Sequence, residues 1–140
     1  MDLLDNNILI YALRPDSPNH MASKRWLEDS LNAGNSIRLF PTVEVGFIRV
    51  ATHPKIFSPA TPVAEAAQFL QFLCSLPTVE ICSWTDTTRE RWLTLCQDMG
   101  LTGNDCNDAM LAALCYERNM RLISCDKGFK RFPGLQLRLL

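Results

Sequence analysis

Residues 121–126 have the sequence RLISCD, a short apolar run that ends in a carboxylate. The run has the length and character of a buried strand, and it follows a helical pattern that ends near Asn119. The same arrangement opens the chain, where a strand predicted at residues 2–4 precedes Asp5. Short strands that alternate with helices are typical of a parallel sheet with helices on both faces, so we predict an α/β fold.

The rest of the chain continues this alternation. Apolar residues at helical spacing indicate the helices, and prolines at positions 54, 59 and 62 indicate a loop between two of them. We expect further strands at residues 37–40, 78–83 and 135–140, and helices that begin near residues 7, 17, 41, 63, 87 and 105. Because the 140 residues contain no linker or internal repeat, we expect a single domain over residues 1–140.

The composition excludes several classes of protein. With 47% hydrophobic residues and a net charge of −1, the chain is globular, and it lacks the basic excess of proteins that coat DNA. The six cysteines form no C-x-x-C pair and only two histidines are present, so no zinc ligand set is apparent. We see no targeting segment and no apolar run long enough for a membrane span, and we expect a cytoplasmic protein with reduced thiols.

Carboxylates follow the predicted strands at the positions where parallel sheets bind ligands. Asp5 and Asp126 each come directly after a strand, and Glu44 and Asp108 lie in the first turns of two helices. Four acids at one end of a sheet repel one another, at a cost of about 4 kcal/mol for a pair ~4 Å apart. A cation would neutralise them, and oxygen ligands select Mg²⁺ or Mn²⁺.

Each acid taken alone has an ordinary structural explanation. Glu44 and Asp108 suit the positive end of a helix dipole, and Asp105 and Asp5 suit N-cap positions. Asp126 is also suited to open a simple turn. The metal-site hypothesis therefore depends on the set of acids and on no single member.

Four segments resemble the motifs of PIN-domain nucleases, in the form found among bacterial VapC-type toxins. They are residues 3–9 (LLDNNIL), 42–50 (TVEVGFIRV), 107–114 (NDAMLAAL) and 122–129 (LISCDKGF), and residues 131–135 (RFPGL) resemble the tail of that toxin group. The resemblance spans the chain. It implies a three-layer α/β/α PIN-like fold with a central parallel sheet and an endoribonuclease that depends on Mg²⁺ or Mn²⁺. It also implies a toxin held in check by a cognate antitoxin, and a homodimer.

The resemblance implies a catalytic set of Asp5, Glu44, Asp108 and Asp126, in which the three aspartates bind metal. We expect a metal-activated water to cleave structured RNA, either tRNA or rRNA, and to leave a 5′ phosphate. Glu44 would complete the metal shell or orient the attacking water.

Further residues support this predicted set. Asn7 is expected to orient the first acid, Asp5, and Ser124 supplies a hydroxyl beside the fourth acid, Asp126. Asp105 either supplements the site or caps its helix. Many relatives carry another acid two residues after the fourth one, where this chain has Gly128. That departure weakens the case for a second metal ion.

Basic residues near the acids are candidates for RNA contact. When the four catalytic acids are left out, the chain has 14 basic and 11 acidic residues, a net charge of +3. This positive charge is enough to bind phosphate locally. Lys127, Lys130 and Arg131 follow the fourth acid, and Arg49 lies beyond Glu44 on the same predicted helix. Each of these is alternatively a solvated surface charge, and Arg49 alternatively forms a structural ion pair.

Three alternatives to a ribonuclease make different demands on the sequence. A catalytically silent PIN-like module that binds protein or RNA predicts an incomplete acid set. A phosphohydrolase with Asp5 as its nucleophile expects a second acid at position 7, which is Asn7 here. A receiver-type regulatory domain needs a lysine after a separate strand, and Lys127 beside Asp126 fits that poorly.

Overall fold

The computed structural model describes all 140 residues, in which five strands form one sheet. The strands are β1 (Asp2–Leu4), β2 (Ile37–Leu39), β3 (Val79–Ile81), β4 (Arg121–Ser124) and β5 (Leu137–Leu139). Their spatial order is β3-β2-β1-β4-β5, and every pair of neighbours is parallel. The chain begins at the centre of the sheet, so β1 and β4 are adjacent although most of the sequence separates them.

Six helices flank the sheet and complete a three-layer α/β/α arrangement. They are α1 (Asn6–Leu13), α2 (His20–Asn32), α3 (Pro41–Ala51), α4 (Val63–Ser75), α5 (Asp86–Asp98) and α6 (Asp105–Arg118). A 3-10 helix at Lys127–Arg131 connects β4 to β5. The predicted α/β fold with a central parallel sheet is thereby confirmed.

The core lies along the two central strands. Leu3 and Leu4 of β1 and Leu122 and Ile123 of β4 are fully buried, because helices cover both faces of a parallel sheet. No helix has both the length and the apolar character that a membrane span requires.

Two predicted helix starts differ from the structure by one to three residues. A helix was predicted to begin near residue 17, but α2 begins at His20 with Asn19 at its N-cap, and the hydroxyl of Ser17 donates to preceding main-chain carbonyls instead. A helix was predicted to begin near residue 87, but α5 begins at Asp86 and is capped by Thr85, whose Oγ1 accepts from the amide of Thr88 at 3.1 Å. Both Thr85 and Thr87 have suitable hydroxyls, and the local pattern did not distinguish them.

Candidate active site

The first acid of the site lies where the two central strands end. Asp5 follows β1 directly, and its amide donates to the carbonyl of Ile123 in the neighbouring strand at 3.0 Å. Asp126 follows β4 two residues after its last position, so parallel pairing brings both carboxylates to the same edge of the sheet. Only 8% of Asp5 is exposed, whereas Asp126 is exposed.

Both carboxylate oxygens of Asp5 are held by hydrogen bonds. Oδ1 accepts from the amide of Asn6 at 2.7 Å, which makes Asp5 the N-cap of α1. Oδ2 accepts from the Ser124 hydroxyl at 2.7 Å and from Asn7 Nδ2 at 2.8 Å. Asn7, which was predicted to orient Asp5, therefore contacts it, and Ser124, which was predicted to lie beside Asp126, contacts Asp5 as well. Their bonds fix the orientation of the carboxylate.

The same two side chains connect Asp5 to the segment after β4. Asn7 Oδ1 accepts from the amide of Cys125 at 3.2 Å, and Ser124 Oγ accepts from the amide of Asp126 at 2.9 Å. Asp126 Oδ1 in turn accepts from the amide of Gly128 at 2.7 Å and caps the 3-10 helix. The loop that carries the fourth acid is thus fixed against the first.

The electrostatic environment of Asp5 disfavours its charge. Burial raises its pKa to about 6, and the negative charges of Asp108 and Asp126 act in the same direction. The hydrogen bonds from Ser124 and Asn6 oppose this rise. At neutral pH the side chain is a buried carboxylate beside two other carboxylates, and this arrangement favours binding of a cation.

Asp108 lies in the first turn of α6 and is bound to an arginine. Arg131 Nη2 donates to Asp108 Oδ2 at 2.9 Å and lies 3.3 Å from Asp105 Oδ1. Burial nevertheless raises the pKa of Asp108, and the charge of Asp126 contributes to the rise while Arg131 opposes it. Asp105 is the first residue of α6, after Asn104 at the N-cap. Its side chain pairs with Arg131, and the predicted capping role of Asp105 is not observed.

Glu44 lies apart from the three aspartates. It lines a groove between α3 and α4 with Val45, Ile48 and Leu70. Burial raises its pKa, and Glu44 in turn contributes, after burial, to the raised pKa of the Cys74 thiol on α4. The structure therefore brings the charges of Asp5, Asp108 and Asp126 near one another and places Glu44 in an adjoining groove, which shares Val45 and Arg49 with the cleft beside Asp5.

A cleft of about 390 Å³ opens beside the buried aspartate. Its walls include polar groups from α1, α3 and α6, namely Asp5, Asn6, Thr42, Arg49, Asn107 and Asp108. Sequence reasoning missed Asn6, Thr42 and Asn107, although each lies within two residues of a predicted acid. The volume of the cleft exceeds that of a phosphate group and several waters.

The chemistry of these side chains fits a hard divalent cation. The donors are carboxylate, amide and hydroxyl oxygens, and the charge of the three aspartates is only partly balanced. As the side chains stand, however, no three acidic, histidine or cysteine groups converge closely enough to hold an ion. Asp108 is bound to Arg131, and Asp126 is bound to the amide of Gly128.

The four basic residues predicted to contact RNA occupy three settings. Lys127 and Lys130 are exposed on the 3-10 helix, and Arg49 is exposed at the edge of the cleft. Arg131 is turned inward to Asp105 and Asp108. Sequence reasoning placed Arg131 near the acids but missed this ion pair.

Comparison with known proteins identifies the family. The PIN-domain family profile matches residues 3–135. A VapC ribonuclease from Mycobacterium bovis is 33% identical over 135 residues, which cover 96% of this chain and 92% of the relative. Ribonuclease VapC31 from Mycobacterium tuberculosis is 31% identical over 138 residues, with 97% and 96% covered.

Solved structures agree in fold. A VapBC2 complex from Rickettsia felis, described as bound to a promoter DNA fragment, superposes with a TM-score of 0.68 at 21% identity and covers 99% of this chain and 97% of that chain. VapC20 from Mycobacterium tuberculosis, described as a Sarcin-Ricin loop cleaving toxin, superposes with a TM-score of 0.67 at 15% identity and covers 99% of both chains. The family profile and the two VapC relatives, which match almost the whole chain, show that it belongs to the PIN-domain family, among the VapC ribonucleases.

Proposed function

We propose that this chain is the toxin of a toxin–antitoxin pair and cleaves structured RNA, either tRNA or rRNA, with the help of Mg²⁺ or Mn²⁺. The observation that carries the proposal is Asp5, a buried carboxylate that opens into a polar cleft and faces the charges of Asp108 and Asp126. Such an arrangement is costly unless a cation offsets it, and proteins retain costly charges at functional sites.

In this proposal Asp5, Asp108 and Asp126 hold the cation. When bound, the cation polarises the scissile phosphate and lowers the pKa of a water. Ser124 and Asn7 keep Asp5 in one orientation by donating to Oδ2, and the side chain so held lines the cleft. Asp105 supplements the acidic charge at the start of α6.

Glu44 is proposed as the residue that orients the attacking water or completes the metal shell. Because its side chain lines the groove between α3 and α4, this role requires it to turn toward the cleft. A Glu44→Gln variant tests its role separately from that of the three aspartates.

Phosphate contacts are proposed for Arg49, Lys127, Lys130 and Arg131. Arg49 lines the same cleft as Asp5, and the two lysines are exposed on the 3-10 helix that follows Asp126. Structured RNA is favoured as the substrate because a structural neighbour is described as a toxin that cleaves the Sarcin-Ricin loop.

A cognate antitoxin and a second copy of the chain are the proposed protein partners, in the cytoplasm. Structural neighbours include VapBC complexes from Rickettsia felis and nontypeable Haemophilus influenzae. Exposed apolar residues support protein contacts, since 66% of Val45 and 57% of Phe72 are accessible. Phe47, on the same helix as Val45, is fully buried against Phe69 and is not available to a partner.

Purified, antitoxin-free protein incubated with bulk tRNA and rRNA tests the proposal. We expect discrete fragments with Mg²⁺ or Mn²⁺, and their loss with EDTA or in Asp108→Asn. Asp98→Asn, at the exposed end of α5, makes the same chemical change away from the cleft and should leave cleavage unchanged. Cleavage that survives Asp108→Asn would contradict the assigned site. No cleavage with any ion would favour the catalytically silent module.

A further inference from the structure

We propose that Arg131 is a resident counter-ion of the acidic site, which competes with the divalent cation for Asp108 and so sets the metal affinity of the toxin. This inference rests on the proposed function, because it assumes that the cation binds among Asp5, Asp108 and Asp126. It concerns a residue that lies in the tail of the chain, outside the four acidic motifs.

The guanidinium of Arg131 is seated in the site by several contacts. Nη2 lies 2.9 Å from Asp108 Oδ2 and 3.3 Å from Asp105 Oδ1. Nη1 donates to the carbonyl of Gly128 at 2.8 Å, and the group lies 4.8 Å from the centre of the Phe132 ring. The Arg131 guanidinium therefore connects the first turn of α6 to the turn that carries Asp126.

Gly128 makes room for this arrangement. A Cβ at position 128 would lie 2.7 Å from Arg131 Nη1 and 3.0 Å from Asp126 Oδ1. The first distance is too short for a carbon atom and the second is tight, so a side chain there would displace the guanidinium and press on Asp126.

Arg131 and a metal ion make competing demands on Asp108. A divalent cation bound by Asp108 Oδ2 would lie next to the guanidinium that this oxygen now binds, and the two positive charges would repel each other. Displacement of Arg131 is feasible because 30% of its side chain is exposed. In addition, its Nε is buried without an acceptor, so the inward position leaves one donor unsatisfied.

Metal binding without RNA tests the inference directly. We would titrate wild type, Arg131→Gln, Lys130→Gln and Asp108→Asn with Mn²⁺ and measure free Mn²⁺ by electron paramagnetic resonance. Loss of a partly exposed ion pair predicts an affinity about fivefold higher in Arg131→Gln than in wild type. Lys130→Gln removes an equal charge from the same 3-10 helix, on an exposed side chain, and should change affinity less than about twofold.

Circular dichroism verifies that each variant is folded, and Gly128→Ala provides a second route. Alanine keeps the charge of Arg131, and its Cβ would lie closer to the guanidinium than to Asp126, so we expect the guanidinium to move and Mn²⁺ affinity to rise again. If Arg131→Gln does not fold, Arg131→Met, which also removes the charge, makes the same test. One result would overturn the inference and leave the proposed function intact: wild type binds Mn²⁺, Asp108→Asn does not, and folded Arg131→Gln binds no more tightly than wild type. No Mn²⁺ binding by wild type or Arg131→Gln would overturn both.

Discussion

Ser124 donates its hydroxyl hydrogen to Asp5 Oδ2 at 2.7 Å, although 119 positions separate the two residues in the sequence. The bond is fully buried and joins the ends of the two central strands. It gives a hydrogen bond to a carboxylate whose charge is otherwise disfavoured by burial and by neighbouring acids. The stability of the fold and the ionisation of the site are therefore coupled through one hydroxyl.

Ser124→Ala should destabilise the protein by about 2 kcal/mol at neutral pH, because a buried charged group loses a donor. Urea unfolding measures this change. In an Asp5→Asn background the same substitution should cost much less, since the acceptor is no longer charged. An equal cost in the two backgrounds would contradict an interaction between Ser124 and the charge of Asp5.

The stability of the metal-free protein should fall as pH rises from roughly 4 to 6, through the two pKa values of Asp5. Its pKa rises from 3.8 to about 6 on folding, so the folded state retains a proton that the unfolded state releases. Above pH 6 Asp5 is ionised in both the folded and the unfolded protein. The cost of the buried charge, on the order of 3 kcal/mol of folding stability, is then fully present. The free energy of unfolding is measured by urea in EDTA at each pH for wild type and for Asp5→Asn. The difference between the two proteins isolates the contribution of Asp5. A difference that stays constant with pH would contradict the raised pKa.

The fold was predictable because its signals are local. Apolar runs followed by acids identified β1 and β4, and parallel pairing then brought Asp5 and Asp126 to one edge. Side-chain direction was harder to predict. Glu44 lies two positions from both Thr42 and Gly46, and successive helical residues are rotated by about 100°, so Glu44 emerges on nearly the opposite side of α3. The sequence located Glu44 in the correct turn but did not reveal that it faces α4.

The ion pair of Arg131 with Asp105 and Asp108 was unpredictable for a different reason. It depends on the path of the chain after β4 and on the space left by Gly128, and neither follows from periodicity. The proximity of Arg131 to the fourth motif was visible in the sequence, but its direction was not.

Arg121→Ala should destabilise the fold and leave cleavage unchanged, because its partner Asp2 lies at the opposite end of the sheet from the cleft. Arg121 binds Asp2 through two bonds of 2.9 Å, and only 6% of the Asp2 side chain is exposed. Since 44% of the Arg121 side chain is exposed, we expect a loss of about 1–2 kcal/mol. Arg89→Ala, which breaks an exposed pair with Asp86, should have little effect. Impaired cleavage by folded Arg121→Ala would contradict this prediction, because it would mean that the end of the sheet opposite the cleft takes part in cleavage.

Gly46→Ala should destabilise the protein even though alanine favours a helix. A Cβ at position 46 would lie 2.5 Å from Asn6 Nδ2, where α3 approaches α1 beside the cleft. Displacement of the Asn6 amide should cost about 2 kcal/mol, within the range typical of overpacking, which exceeds the ~1 kcal/mol gained in helix propensity. In an Asn6→Ala background the obstructing amide is absent, and the main-chain amide at position 6 can still bind Asp5. There the same Gly46→Ala change should instead stabilise by up to about 1 kcal/mol. Denaturant unfolding of the four proteins in this cycle measures both values. An effect of the same sign in both backgrounds would mean that Asn6 does not limit the approach of the two helices.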